Sequence, residues 1–123
     1  MKIETSEATP LQLNWLVAQC EGKAVEYLDD GITRCLLQKP CGFYVPTTDW
    51  AQGGSIIERE SIEIAKLYDG WIACINVPED GDWESNGQWG ATPLIAAMRC
   101  YVAAKLGHEV EIPDEFCTHE EAA

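Results

Sequence analysis

Cationic side chains are scarce in this chain: eight Lys and Arg stand against twenty-one Asp and Glu, for a formal net charge of −13. Binding to nucleic-acid phosphates requires Lys and Arg to displace counterions, so direct nucleic-acid binding is not expected. Long apolar runs are missing as well, and none approaches the length of a membrane span. The enzymatic signatures C-x-x-C, H-E-x-x-H, G-x-S-x-G and G-x-x-x-x-G-K-[ST] do not occur. Histidine is limited to His108 and His119. With Cys117 these could in principle hold a metal, but the spacing fits no common zinc module, and solvated tail residues are the simpler reading. We therefore expect no metal, no cofactor and no catalytic side chains.

What is present suits one domain. At 123 residues, 46% of them hydrophobic, the chain is long enough to hold a core without staples. Six cysteines are numerous for the length. The opening Met1-Lys2-Ile3-Glu4-Thr5 does not read as a secretory signal, so the expected setting is the reducing cytoplasm, with most thiols acting as small buried hydrophobes. The acidity reads first as solubility and self-repulsion. It also reads as an acidic face that meets a basic partner.

Two helices are marked by the same four letters, Ala-Thr-Pro-Leu. In residues 10–21, Thr9 caps, Pro10 occupies the first turn, Leu13, Leu16, Val17 and Cys20 recur at helical spacing, and Gly22 ends the helix. In residues 93–106, Thr92 caps, Gly107 ends the helix, and apolar side chains cover most of its girth, as in a helix buried against a sheet. Between them residues 24–28 and 32–37 flank the Asp29-Asp30-Gly31 turn, 43–45 form a short strand, and 62–67 and 71–77 flank Tyr68-Asp69-Gly70. Residues 109–112 are expected to add an edge strand. The expected fold is α+β: an antiparallel sheet of about four to six strands packed by two main helices. Residues 1–116 form the single domain, with an acidic, frayed tail at 117–123.

The best binding candidate is the loop 46–54. It joins Thr48, Asp49, Trp50 and Gln52 to the permissive pair Gly53-Gly54, directly before Ser55-Ile56-Ile57-Glu58, which fits a capping box. Backbone N–H groups at a glycine-led helix start can hold an anion. Equally, glycines and a cap are what any sharp turn uses. Arg59 and Arg99 are the cations placed to support the site. Each is either a planar fork for a carboxylate or phosphate, or an arginine that pairs with Glu58 or Glu60 and covers apolar surface with its stem. Trp83 and Trp89, in the polar loop 78–90, read as a lid over the core edge or as a stacking platform.

Longer stretches resemble a known family. Thr48-Asp49-Trp50-Ala51-Gln52-Gly53-Gly54, Ile56-Ile57-Glu58-Arg59-Glu60, and Thr92-Pro93-Leu94-Ile95-Ala96-Ala97-Met98-Arg99-Cys100-Tyr101-Val102-Ala103 are similar to the NinX family of small phage and prophage proteins. Trp15-Leu16-Val17-Ala18, Leu106-Gly107 and Glu109-Val110-Glu111-Ile112-Pro113 fit the same pattern. Residues 23–39 and 66–89 match it least. The resemblance implies a non-essential accessory protein in the cytoplasm of an infected bacterium, and it brings no activity, cofactor or catalytic residue with it.

The expectation from these readings is a non-catalytic phage accessory protein that acts by binding, against a host function such as a defence system. One mode is capture of a small anionic, nucleotide-like ligand by the 48–54 loop and an arginine. A second is docking of the acidic surface on a basic host protein. A third class is a small enzyme using a cysteine or carboxylate. Self-association into a homo-oligomer is left open.

Overall fold

A computed structural model describes residues 1–39, 42–76, 79, 81 and 87–116. The fold is α+β, with three α-helices and eight short strands among the described residues. Helix α1 is Pro10–Glu21, α2 is Trp50–Glu60 and α3 is Pro93–Leu106. The strands are β1 Lys2–Glu4, β2 Glu26–Asp29, β3 Arg34–Gln38, β4 Gly42–Phe43, β5 Glu63–Leu67, β6 Gly70–Cys74, β7 Gln88–Gly90 and β8 Glu109–Glu111.

The two expected helices form for the expected reasons. At α1, Gln12 N–H donates to Thr9 Oγ1 (3.3 Å) and Thr9 N–H donates to Gln12 Oε1 (2.9 Å), closing a reciprocal cap. Gly22 then takes the left-handed conformation (φ 67°) that ends the helix. At α3, Ile95 N–H donates to Thr92 Oγ1 (3.2 Å). Leu94, Ala96, Ala97, Met98, Cys100, Tyr101 and Val102 of this helix are all buried. It is the central element, packed against α1, α2 and the β5–β7 sheet. Its small residues let the sheet come close: a Cβ on Gly90 would lie 2.4 Å from Ala96 N.

Two expectations are corrected. The strands do not join into one sheet of four to six; they form three small antiparallel sheets, ordered β1-β8, β2-β3-β4 and β5-β6-β7. Both tight hairpins fall where expected, pairing Asp29 with Arg34 and Leu67 with Gly70. The segment between the hairpins carries a third helix, and β4 and β5 on either side of it belong to different sheets. The C-terminal strand β8 finds its partner at the other end of the chain, with Ile3 opposite Val110. Thr5 reinforces that closure, its N–H donating to His108 O (2.8 Å) and its hydroxyl to Gly107 O (2.7 Å).

The second correction concerns α2. Ser55 does not cap a helix; it lies within one, its hydroxyl donating to Gln52 O (3.0 Å). The cap is Asp49, whose Oδ1 accepts from Ala51 N–H (2.9 Å) and whose carbonyl accepts from Gly53 N–H (2.8 Å). Both glycines are thus helical. Gly53 is buried, and a Cβ there would lie 2.3 Å from Pro46 O and 2.7 Å from Leu94 Cδ2. It is glycine because α2 crosses the preceding chain and α3 too closely for a side chain.

Candidate functional site

The segment ahead of α2 is held by paired backbone. Asn14 of α1 reaches across, its Oδ1 accepting from both Thr47 N–H (3.1 Å) and Thr47 Oγ1 (2.9 Å). The Gln52 amide binds back onto the chain it follows, accepting from Val45 N–H (2.7 Å) and donating to Phe43 O (2.9 Å). Val45 O in turn accepts from Thr48 N–H (3.0 Å) and Asp49 N–H (2.8 Å). This makes a rigid platform, and rigid platforms present side chains at low entropic cost.

What the platform presents is Trp50. It is the first residue of α2 and is 55% exposed. It lines an open pocket of about 210 Å³ with Thr47, Thr48, Thr92, Pro93 and Leu94. Both helix starts, α2 and α3, meet there. One leading N–H of each is already engaged, that of Ala51 by Asp49 and that of Ile95 by Thr92, and no Lys or Arg lines the pocket. The surface on offer is an indole, a proline ring and a leucine, with threonine groups between them.

The structure thus divides the expected site residues. Thr48 and Trp50 line the pocket, while Asp49 and Gln52 build the scaffold beneath it. Gly53 is a packing residue, and Gly54 lies beside the Trp50 ring, where a Cβ would be 3.6 Å from Cε3. Neither arginine is directed to the pocket. Arg59 forms a two-pronged pair with Glu21 of α1 (2.9 and 2.6 Å) and donates through Nε to Glu60 (2.8 Å). Arg99 donates to two backbone carbonyls, Trp89 O (2.8 Å) and Ala8 O (2.9 Å), tying β7 and the chain before α1 onto α3. Its Nε is buried without a hydrogen-bond partner, and burial lowers its pKa against the opposing pull of Glu7. Thr47, Thr92, Pro93 and Leu94 were not among the expected site residues. The Thr92-Pro93 helix start was visible, but nothing in sequence shows that it meets the 47–50 segment.

A second cluster joins the three helices. The Tyr101 hydroxyl of α3 donates to Glu21, which also receives Arg59, and Lys105 Nζ lies 3.6 Å from Glu60. The Arg59 hydrogen bonds, foremost, hold the Glu21 carboxyl below its ordinary range, with burial opposing. This cluster braces the helices through satisfied charges, with its members already paired to one another. Burial raises the Cys74 thiol and pushes Cys20 and Cys100 up to about 11, so these three are protonated and weakly nucleophilic. Trp83, Cys117 and His119, singled out in the sequence, lie outside the described residues. No group of three metal-binding side chains occurs among the described residues, and no helix among them is long and apolar enough to cross a membrane.

The family model described as bacteriophage P22 NinX matches residues 4–105. The chain belongs to that family. The match takes in all three helices except Leu106, together with the whole pocket lining. Of the stretches that carried the resemblance, those from Trp15 to Ala103 fall inside it, while Leu106-Gly107 and residues 109–113 lie beyond. No curated protein matches the chain.

Proposed function

We propose that this NinX-family chain is a non-catalytic binding protein that docks on a basic protein surface, with the Trp50 pocket as the anchor for an apolar side chain. The observation that carries this reading is an exposed tryptophan on a rigid platform, beside a pocket with no cation, in a chain of net charge −13. Indoles anchor protein interfaces through a large, stiff apolar face, and a partner of opposite charge is steered to it. Membership of a phage family supports a setting in an infected bacterium; in this reading the partner is a host protein in the cytoplasm, with a defence component as one candidate class. The test is affinity isolation from infected-cell lysate with the wild type and Trp50→Ala, at low and high salt. Retention of basic proteins that disappears with either change supports the reading. Retention unchanged in high salt and in the variant refutes it.

A second reading, capture of a small anion, is favoured by the meeting of two helix starts at one pocket. Thr48, Trp50 and Thr92 would then be the contacting residues, with Asp49 as an unfavourable neighbour. A nucleotide panel that raises the melting temperature of wild type but not of Trp50→Ala would select this reading over docking.

A further inference from the structure

The β2-β3-β4 sheet has two unlike faces. Its registers place Leu28 opposite Cys35, and both Glu26 and Phe43 opposite Leu37. Side chains alternate along a strand, so Leu28, Cys35, Leu37 and Phe43 share one face, while Tyr27 and Leu36 share the other. The second face is the core face: Leu36 is buried and the Tyr27 ring meets Phe116 edge-on at 4.8 Å. The first face is largely uncovered. Phe43 is 60% exposed and Leu28 37%, and Ile32 at the hairpin tip stands almost fully in solvent. A hollow of about 450 Å³ lies on it, lined by Leu28, Cys35 and Phe43 together with Thr33 and the carboxylates Asp29 and Asp30. Strand β2 has a hydrogen-bonded neighbour on one side alone among the described strands, which leaves an edge open to a further strand.

We propose that this face docks a protein segment that carries apolar side chains on one side and Lys or Arg beside them. The charge selects that occupant. Glu26, Asp29 and Asp30 rim the apolar patch, against Lys39, which lies 3.4 Å from Glu26, and Arg34, which lies 3.9 Å from Asp29. Asp30 is in no ion pair among the described residues; its Oδ1 accepts from Thr33 N–H (2.6 Å), foremost, and from Ile32 N–H (2.9 Å), which holds its pKa down and keeps it charged. A second copy would bring carboxylates against carboxylates, on top of −13 for each chain. Lipid headgroups of anionic membranes and nucleic-acid phosphates meet the same repulsion. A cationic, apolar protein segment relieves the charge and covers the patch at once. This site shares with the proposed function the premise of a basic partner but not the Trp50 pocket, so either can fail alone.

The experiment uses the whole chain, labelled for NMR, titrated with three eight-residue peptides: alternating Lys-Leu, Lys-Ser and Glu-Leu. The Lys-Leu peptide is expected to shift amides of β2, β3 and β4. The other two are expected to leave them in place. Leu28→Ser and Phe43→Ser, both at exposed positions, are expected to weaken the response at least tenfold with unchanged melting temperature, and Trp50→Ala is expected to leave it intact. Equal response to Lys-Ser, shifts scattered over the acidic surface, or shifts confined to the Trp50 pocket would each overturn the proposal; the last would leave the proposed function standing. Sedimentation showing a wild-type dimer that Phe43→Ser dissociates would overturn it too, in favour of a second copy.

Discussion

The adjacent glycines of α2 offer a sharp test of how this region is built. Helix propensity favours alanine over glycine by about 1 kcal/mol at each position. If the pair were a loop hinge, the two substitutions would behave alike. The structure instead predicts opposite signs. At Gly54 a Cβ meets the Trp50 ring at 3.6 Å, an ordinary contact, so Gly54→Ala is expected to stabilise by about 1 kcal/mol. At Gly53 a Cβ would be 2.3 Å from Pro46 O, a backbone atom that cannot retreat without moving the platform that Asn14 and Gln52 hold. Overpacking of this kind costs up to about 3 kcal/mol, which after the propensity gain leaves Gly53→Ala destabilised by about 2 kcal/mol. At about 4 °C per kcal/mol for a domain of this size, the melting temperatures should move by about +4 °C and −8 °C. Urea unfolding followed by far-UV circular dichroism measures both stabilities, and a thermal scan the two shifts. A Gly53→Ala protein as stable as wild type, or two variants shifted in the same direction, would refute the close crossing of α2 on Pro46 and Leu94.

Three further outcomes follow from the same geometry. Glu21→Gln removes a carboxylate whose folded pKa is depressed, so its contribution is present at neutral pH and is lost as pH falls through the folded value, below the ordinary 4.5. The variant should lose about 1–2 kcal/mol at pH 7, a value discounted for the half-exposed Arg59, and should converge on wild type in acid; parallel curves across the acid limb would count against the cluster. Asn14→Ala strands the buried Thr47 N–H and hydroxyl and is expected to cost about 2 kcal/mol in urea unfolding, whereas a neutral effect would mean that water replaces the amide. Native Cys20 and Cys100, each pushed up to about 11, should alkylate with iodoacetamide at pH 8 about 100-fold more slowly than after unfolding, as peptide mass spectrometry would read; equal rates would show that neither thiol is shielded.

Helices α1 and α3 were legible because their ends are written locally: Thr then Pro at the start, Gly at the end. The hairpins were legible for the same reason, since a short turn rich in Asp and Gly settles which strands pair. What sequence did not show is non-local. Strand β1 is three residues long with one inward side chain, Ile3, and it pairs with β8 from the far end of the chain. The first turn of helix α2 is hidden by Gly53-Gly54, which place the expected helix start at Ser55 and not at Trp50, because glycine weakens a helix considered alone. The term that outweighs this is steric exclusion by Pro46 and Leu94, one of them more than forty positions away. The division into three sheets is non-local too: β4 and β5 flank α2 yet belong to different sheets, and β1 pairs with β8.

The candidate site shows the same asymmetry between residue type and residue partner. Trp50 stands out in the sequence as a large aromatic among polar neighbours, and it is exposed beside a pocket. In sequence Arg59 is either an anion fork or a partner of Glu58 or Glu60; it pairs with Glu60, and its stronger partner, Glu21, comes from a different helix. Arg99 meets carbonyls and not carboxylates. To turn towards a ligand, Arg59 would have to break a two-pronged ion pair and Arg99 two backbone hydrogen bonds, and either costs more than an exposed anion contact returns. The remaining exposed attractions are apolar side chains set among carboxylates. That combination discriminates by charge during approach and by shape on contact: screening by salt should weaken the encounter with a basic partner, and truncating the apolar anchor should shorten the lifetime of the complex, so either change alone reduces retention.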